Sequence, residues 1–151
     1  MGELLAQSGV IVICGGGSGV MAAVAAGARS VGGIVVGVRP GEDRSDANSD
    51  LSVTLVTNMG EARNAIIVWS ADAVIAIGGS WGTLSEVALA RRRGDIPVVV
   101  LDGWRVIDRD GELLPGIDYV ATADEAVAHA LAEIRVAGTV LPPSQESPTD
   151  S

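Results

Sequence analysis

Short unbroken apolar runs alternate along this chain with longer stretches whose apolar residues recur at helical spacing. Val10 to Cys14, Gly33 to Val38, Ala73 to Ile77 and Pro97 to Leu101 are nearly continuous in valine, isoleucine and alanine, the pattern of strands buried on both faces. Leu51 to Thr57 reads as a weaker strand and Asp118 to Ala121 as a last short one. Helices are predicted over Gly2 to Ser8, Val20 to Val31, Met59 to Ser70, Leu84 to Arg93 and Thr122 to about Val136. Two of these open with a side-chain capping pattern, Asn58-x-x-Glu61 and Thr122-x-x-Glu125. Strand and helix alternate throughout, which predicts an α/β, Rossmann-like, doubly wound parallel sheet with helices over both faces. One domain over residues 1–137 is expected, and the proline- and serine-rich stretch 138–151 is expected to be a disordered tail.

Two of the strand-to-helix junctions are glycine loops. Gly15-Gly16-Gly17-Ser18-Gly19 follows the first strand, and Gly78-Gly79-Ser80-Trp81-Gly82-Thr83 follows the strand ending at Ile77. A helix N-terminus presents free N–H groups and partial positive charge, and glycine lets a ligand approach the backbone closely, so such loops suit anions. A tight turn can demand glycine for backbone reasons alone. Two loops at equivalent strand ends, however, fit the crevice where doubly wound sheets bind their ligands. The expected guest is a phosphorylated small molecule lying between the loops.

Composition narrows the chemistry. All ten basic residues among the 151 are arginine, so Schiff-base chemistry on lysine is excluded. One cysteine, Cys14, and one histidine, His129, rule out a disulfide framework and are too few for a zinc site of the usual kind, so no metal site is expected. A net charge of −9 argues against nucleic acid as a partner. The one basic cluster, Arg91 to Arg93, falls at a helix C-terminus, where positive charge is favourable. With no leader pattern and no apolar run of about 18 residues, the expectation is a cytoplasmic protein without membrane contact.

Known motifs fit unevenly. Gly15-x-Gly17-x-x-Val20 lacks the third glycine of the dinucleotide fingerprint, and the next strand runs into Arg39 where an acid would hold a ribose hydroxyl. Lacking lysine, the chain has no Walker A loop. Gly78-x-Ser80-x-Gly82 does match the nucleophile elbow of serine hydrolases, followed by Asp102 or Asp118 and then His129 in the order that fold uses. His129 nevertheless falls in mid-helix instead of on a loop after a strand.

The stretch NMGEARNAIIVWSADAVIAIGGSWGTLSE, Asn58 to Glu86, resembles the signature of the LOG (LONELY GUY) and molybdenum-cofactor-carrier-like superfamily, formerly labelled lysine decarboxylases. Arg63 matches the helix arginine of the pattern, Gly79, Gly82 and Thr83 match its glycine loop, and Glu86 matches its glutamate. Gly78 stands where the family has proline and Ser80 where it has a second glycine, a variant closer to the cofactor-carrier branch than to the hydrolase branch. The upstream loop CGGGSGVMAAVAAGA is also similar, so the resemblance spans roughly Gly9 to Trp104.

That resemblance implies a nucleotide- or pterin-binding protein that requires no cofactor of its own but could carry molybdenum cofactor as cargo. If catalytic, it would be a phosphoribohydrolase cleaving the N-glycosidic bond of a nucleoside 5′-monophosphate. The Gly79 to Thr83 loop would then cradle phosphate, Glu86 would face the ribose, and Arg63 would orient Glu86 or assist the departing base. Thr83-x-x-Glu86 is also a capping box in its own right, so Glu86 carries two readings. Trp81 suits stacking on a flat heterocycle or a subunit contact. Apolar residues around the Met59 to Ser70 helix, with the family's habit of pairing through it, imply a homodimer or larger homo-oligomer. The family also begins with a strand preceding the helix in which Met1 falls, so this chain is expected to lack that first strand and to have an open or re-paired sheet edge beside Val10 to Cys14.

Overall fold

A computed structural model describes residues 1–132 and 134. In chain order the elements are α1 (Gly2–Gln7), β1 (Val12–Cys14), α2 (Val20–Ser30), β2 (Val35–Arg39), β3 (Val53–Val56), a 3-10 turn (Gly60–Arg63), α3 (Asn64–Trp69), β4 (Val74–Ile77), α4 (Trp81–Arg93), β5 (Val98–Leu101), β6 (Asp118–Val120) and α5 (Ala123–Ala132). The expected end of the last helix at Val136 and the tail from Gly138 lie outside the described residues.

All strand pairings between these elements are parallel, in two three-stranded sheets of order β1-β2-β3 and β4-β5-β6. Among the described residues no ladder joins β1 to β4, so β1 has an open edge on the side away from β2. The second sheet shows why its strands read as unbroken apolar runs. Side chains alternate along β5, so Val98 and Val100 face Val87 and Ala90 of α4, while Val99 faces Ala126 and Ala130 of α5. Each face meets a helix, and Val98, Val99 and Val100 are all buried.

The first sheet is covered less evenly. Val12 and Val35 pack on Ala25 and Ala28 of α2, and α1 lies close enough to α2 that any side chain at Gly2 would strike the Val24 carbonyl. On β3, by contrast, Val53, Leu55 and Val56 remain 45%, 46% and 38% exposed, so the helical cover thins at that edge strand.

Local capping follows the sequence in one place and departs from it in another. At α5 the Thr122 hydroxyl accepts from Glu125 N–H, and the Glu125 carboxylate accepts from the N–H groups of Ala121 and Thr122, completing the box. Asn58 makes no such cap. It adopts a left-handed φ of 50°, and the chain enters α3 through the 3-10 turn instead, with no side-chain cap bond there. Two backbone bonds, from Asn58 N–H to the Gly41 carbonyl and from Gly60 N–H to the Pro40 carbonyl, hold this segment against the loop after β2.

Candidate ligand-binding site

Both glycine loops emerge at the carboxyl ends of parallel strands, β1 and β4, as the strand-loop-helix pattern requires. Gly78 takes a left-handed φ of 68°, which turns the chain out of β4, and Gly79 and Ser80 then lie exposed. α4 begins at Trp81, so Trp81 and Gly82 occupy its first turn and not the loop in which the sequence had put them. Ser80 is the N-cap: its Oγ accepts from Thr83 N–H at 3.1 Å and lies 2.9 Å from the Thr83 hydroxyl. Thr83 is therefore not the cap, and the Thr83-x-x-Glu86 box expected as one reading of Glu86 does not form.

Glu86 turns instead toward Arg63, whose Nη1 lies 3.5 Å from its Oε1. Burial pushes the Glu86 carboxyl above its ordinary range, and the Arg63 guanidinium pulls the other way without cancelling the shift. A polar chain fixes the pair. Arg63 Nη1 donates to Asn64 Oδ1, Asn64 Nδ2 donates to Ser85 Oγ at 2.8 Å, and Ser85 donates to the Gly82 carbonyl at 2.7 Å. The start of α3 is thereby tied to the first turns of α4. Asn64 is 4% exposed, and among the described residues it is the buried polar side chain of the fold.

The upstream loop meets the same arginine. A Cβ on Gly15 would lie 2.8 Å from Nη2 of Arg63, and one on Gly17 would lie 3.4 Å from Nη1 of Arg39, with Met21 against both. Gly15 to Gly17 are buried, whereas Ser18 and Gly19 are exposed at the start of α2. Cys14 packs at the strand end, its thiol pushed up by burial, and accepts from Gly16 N–H.

Two tryptophans stand over the second loop. Trp81 is 77% exposed and meets Trp104 edge to face, with ring centroids 5.2 Å apart. Trp104 lies so close above Gly79 that any side chain there would strike its indole. The cavity beneath, among Ala76, Val87, Val100 and Trp104, holds about 10 Å³, room for one water at most. That space is too small for a ligand, and the outer side of the loop, beside Trp81, is open to solvent. A hollow of about 510 Å³ between α1 and α5 is larger, but neither glycine loop nor arginine lines it.

The nucleophile-elbow geometry is not assembled. Ser80 Oγ is engaged as a helix cap, and His129 on α5 bonds Asp118 at 3.0 Å, with no hydrogen bond to Ser80 among the described residues. No group of three histidine, cysteine or acidic residues there could hold a metal ion, and no helix is long and apolar enough to cross a membrane.

The residues that sequence reasoning missed are Asn64, Arg39 and Trp104. Asn64 could have been found, since Asn64, Ile67 and Val68 share one helical face and a polar residue among buried apolar ones needs a partner. Arg39 ends the apolar strand VVGVR, and its role becomes visible only from the loop it reaches. Trp104 had no local signal.

This geometry can be compared with that of known proteins. The family model for the SLOG cluster4 family matches residues 1–129. The chain belongs to this family. The resemblance to the LOG and molybdenum-cofactor-carrier-like superfamily is thereby upheld. An uncharacterized protein of Archaeoglobus fulgidus is 44% identical over 117 residues, which is 74% of this SLOG chain and 77% of that protein. A cytokinin riboside 5′-monophosphate phosphoribohydrolase of Mycobacterium tuberculosis is 35% identical over 116 residues, or 72% of this chain but only 62% of the relative's length. Among solved structures, the molybdenum cofactor binding protein of Rippkaea orientalis superposes with a TM-score of 0.74 at 30% identity, covering 90% of this chain and 82% of that one.

Proposed function

We propose that this SLOG protein binds a phosphorylated heterocyclic small molecule, a nucleoside monophosphate or a pterin-type cofactor, at the outer side of its two glycine loops. The observation that carries this reading is the convergence of Arg63 on both the Gly15 loop and Glu86 of α4. Phosphate would be held by the N–H groups of Gly79 to Thr83 at the head of α4 and faced by Gly15 to Gly19. Trp81, exposed beside the loop, would stack on the flat ring. A pterin-type cofactor such as molybdenum cofactor fits these residues because it brings a phosphate and a flat ring, and the relative from Rippkaea supports it as cargo.

A second reading, nucleoside 5′-monophosphate phosphoribohydrolase, is favoured by the Glu86 carboxyl. A buried acid with a raised pKa beside an arginine suits proton transfer to or from a water or leaving group near neutral pH. Arg63 would then keep Glu86 in place and offset charge on the departing base. The Mycobacterium relative supports this reading.

One experiment separates the two. The protein is titrated by thermal shift with a panel of nucleoside 5′-monophosphates and with molybdenum cofactor, and the nucleotide incubations are examined for free base by chromatography. Stabilisation without free base supports carriage. Free base that disappears in Glu86→Gln supports hydrolysis. No stabilisation by any of these ligands would defeat both. The homodimer or larger assembly belongs to the same reading, resting on the exposed Val53, Leu55, Met59 and Trp69.

A further inference from the structure

Buried donors without acceptors surround the Gly15 loop. Nε of Arg39, Nε of Arg63 and Nδ2 of Asn48 are enclosed, and none has a hydrogen-bond partner among the described residues, an arrangement that folded proteins ordinarily avoid. Arg39 reaches the loop from the end of β2: its Nη1 donates to the Gly15 carbonyl at 3.3 Å and lies 3.4 Å from where a Cβ on Gly17 would stand. Asn48 is tied to the same loop, its N–H donating to the Gly16 carbonyl at 3.0 Å. Its Oδ1 is taken by Asp50 N–H at 2.7 Å, which leaves Nδ2 as the orphan. Arg63 closes the other side, with Nη2 2.8 Å from where a Cβ on Gly15 would stand. Guanidinium and amide N–H groups only donate, so what this loop lacks is an acceptor.

The two arginines differ in charge balance. Arg63 shares its charge with Glu86 at 3.5 Å, whereas Arg39 forms no ion pair among the described residues. Asp43, the acid that senses Arg39, is fully exposed and is held mainly by Ser45. One guanidinium, that of Arg63, faces Glu86 through Nη1 and Gly15 through Nη2, so α4 and the Gly15 loop border a common cleft. The helix that follows the loop is also open to an anion. Ser18 and Gly19 are exposed, and α2 starts at Val20 with no side-chain cap on its free N–H groups. We propose that Arg39 is the residue that recognises the ligand's single phosphate, supplying the uncompensated positive charge beside the Asn48 amide and the head of α2. The proposal rests on the reading that a phosphorylated small molecule lies between the glycine loops. Arg39 and Asn48 are both half-buried, so rotation of a side chain, not opening of the fold, brings their donors to the phosphate.

The test measures affinities by calorimetry for adenosine and AMP, guanosine and GMP, and orthophosphate, on the wild-type protein, Arg39→Met and Arg39→Lys. In the wild type at least one nucleotide is expected to bind about tenfold or more tighter than its nucleoside, the worth of one charge-assisted hydrogen bond. Arg39→Met should lower that ratio about tenfold through the nucleotide alone, leaving the nucleoside within about twofold, and Arg39→Lys should restore part of it. An equal loss for nucleoside and nucleotide, as a displaced loop would give, would overturn the proposal. If Arg39→Met unfolds in thermal melts, Arg39→Gln takes its place. Nucleotide binding that Arg39 does not affect would defeat this inference and leave the phosphorylated-ligand reading standing. Orthophosphate binding that is lost in Arg39→Met, with no gain from either base, would defeat the heterocycle reading and leave this inference standing. Nucleosides binding as tightly as nucleotides in the wild type, or no binding of any probe, would defeat it as well.

Discussion

Glu86 carries the clearest consequence at the scale of single residues. Its raised pKa means that the folded chain holds a proton that the unfolded chain has already released, from the usual carboxylate range upward. Stability attributable to Glu86 is therefore greatest in acid and is lost as pH rises through the raised value. Denaturant melts of the wild type and Glu86→Gln between about pH 4 and pH 7 should show the variant gaining on the wild type as pH rises; a difference that does not change with pH would contradict the shift. Asn64 makes a different prediction. Buried and bonded to both Arg63 and Ser85, it should cost about 1–3 kcal/mol when replaced by alanine, read as a lowered urea midpoint. The same variant should loosen Arg63 and weaken ligand binding, an effect that simple loss of a helix bond would not produce.

Among the elements, α4 links fold to site. Its N-cap is Ser80, its C-terminus closes on Gly94 in the left-handed conformation, and Arg91 to Arg93 lie in its last turn as the sequence anticipated. Replacing Ser80 by alanine removes the bond to Thr83 N–H and should cost about 1 kcal/mol in chemical denaturation. Should Ser80 instead serve as a hydrolase nucleophile, it would be labelled by a fluorophosphonate; its hydroxyl is engaged with Thr83 and no imidazole adjoins it, so no labelling is expected. The α3 entry shows where an element-level rule failed. Asn58-x-x-Glu61 has the residues of a capping box, yet backbone bonds to Pro40 and Gly41 hold that segment in another conformation, and the helix begins at Asn64 after a 3-10 turn.

For the whole molecule, the uneven cover of the first sheet is the governing feature. β3 leaves Val53, Leu55 and Val56 partly open, and Met59 and Trp69 are 51% and 65% exposed on the segment that follows. Trp69 is held by Arg93, whose guanidinium lies 5.3 Å from the ring centroid, so it stands ordered at the surface. Self-association through such apolar surface predicts a homodimer or larger by light scattering at micromolar concentration, and Trp69→Asp should shift it toward monomer. A wild-type monomer under those conditions would refute the assembly.

Alternation of apolar runs with helical periods determined the element order, the parallel pairing and the two glycine loops, because each depends on local spacing and on strand burial from both sides. Arg63 and Glu86 were legible through the resemblance of Asn58 to Glu86 to a family signature. The choice between cap and site for Glu86 was not, since a capping box and a ligand motif share the same residues at the same spacing. Only packing decided it: Ser80 took the cap, and the approach of α3 to α4 brought Arg63 within 3.5 Å of the carboxylate. Arg39 and Trp104 likewise acquired roles from neighbours distant in sequence, the Gly15 carbonyl and Gly79. Such contacts are set by how strands and loops lie beside one another, and no period along the chain encodes them.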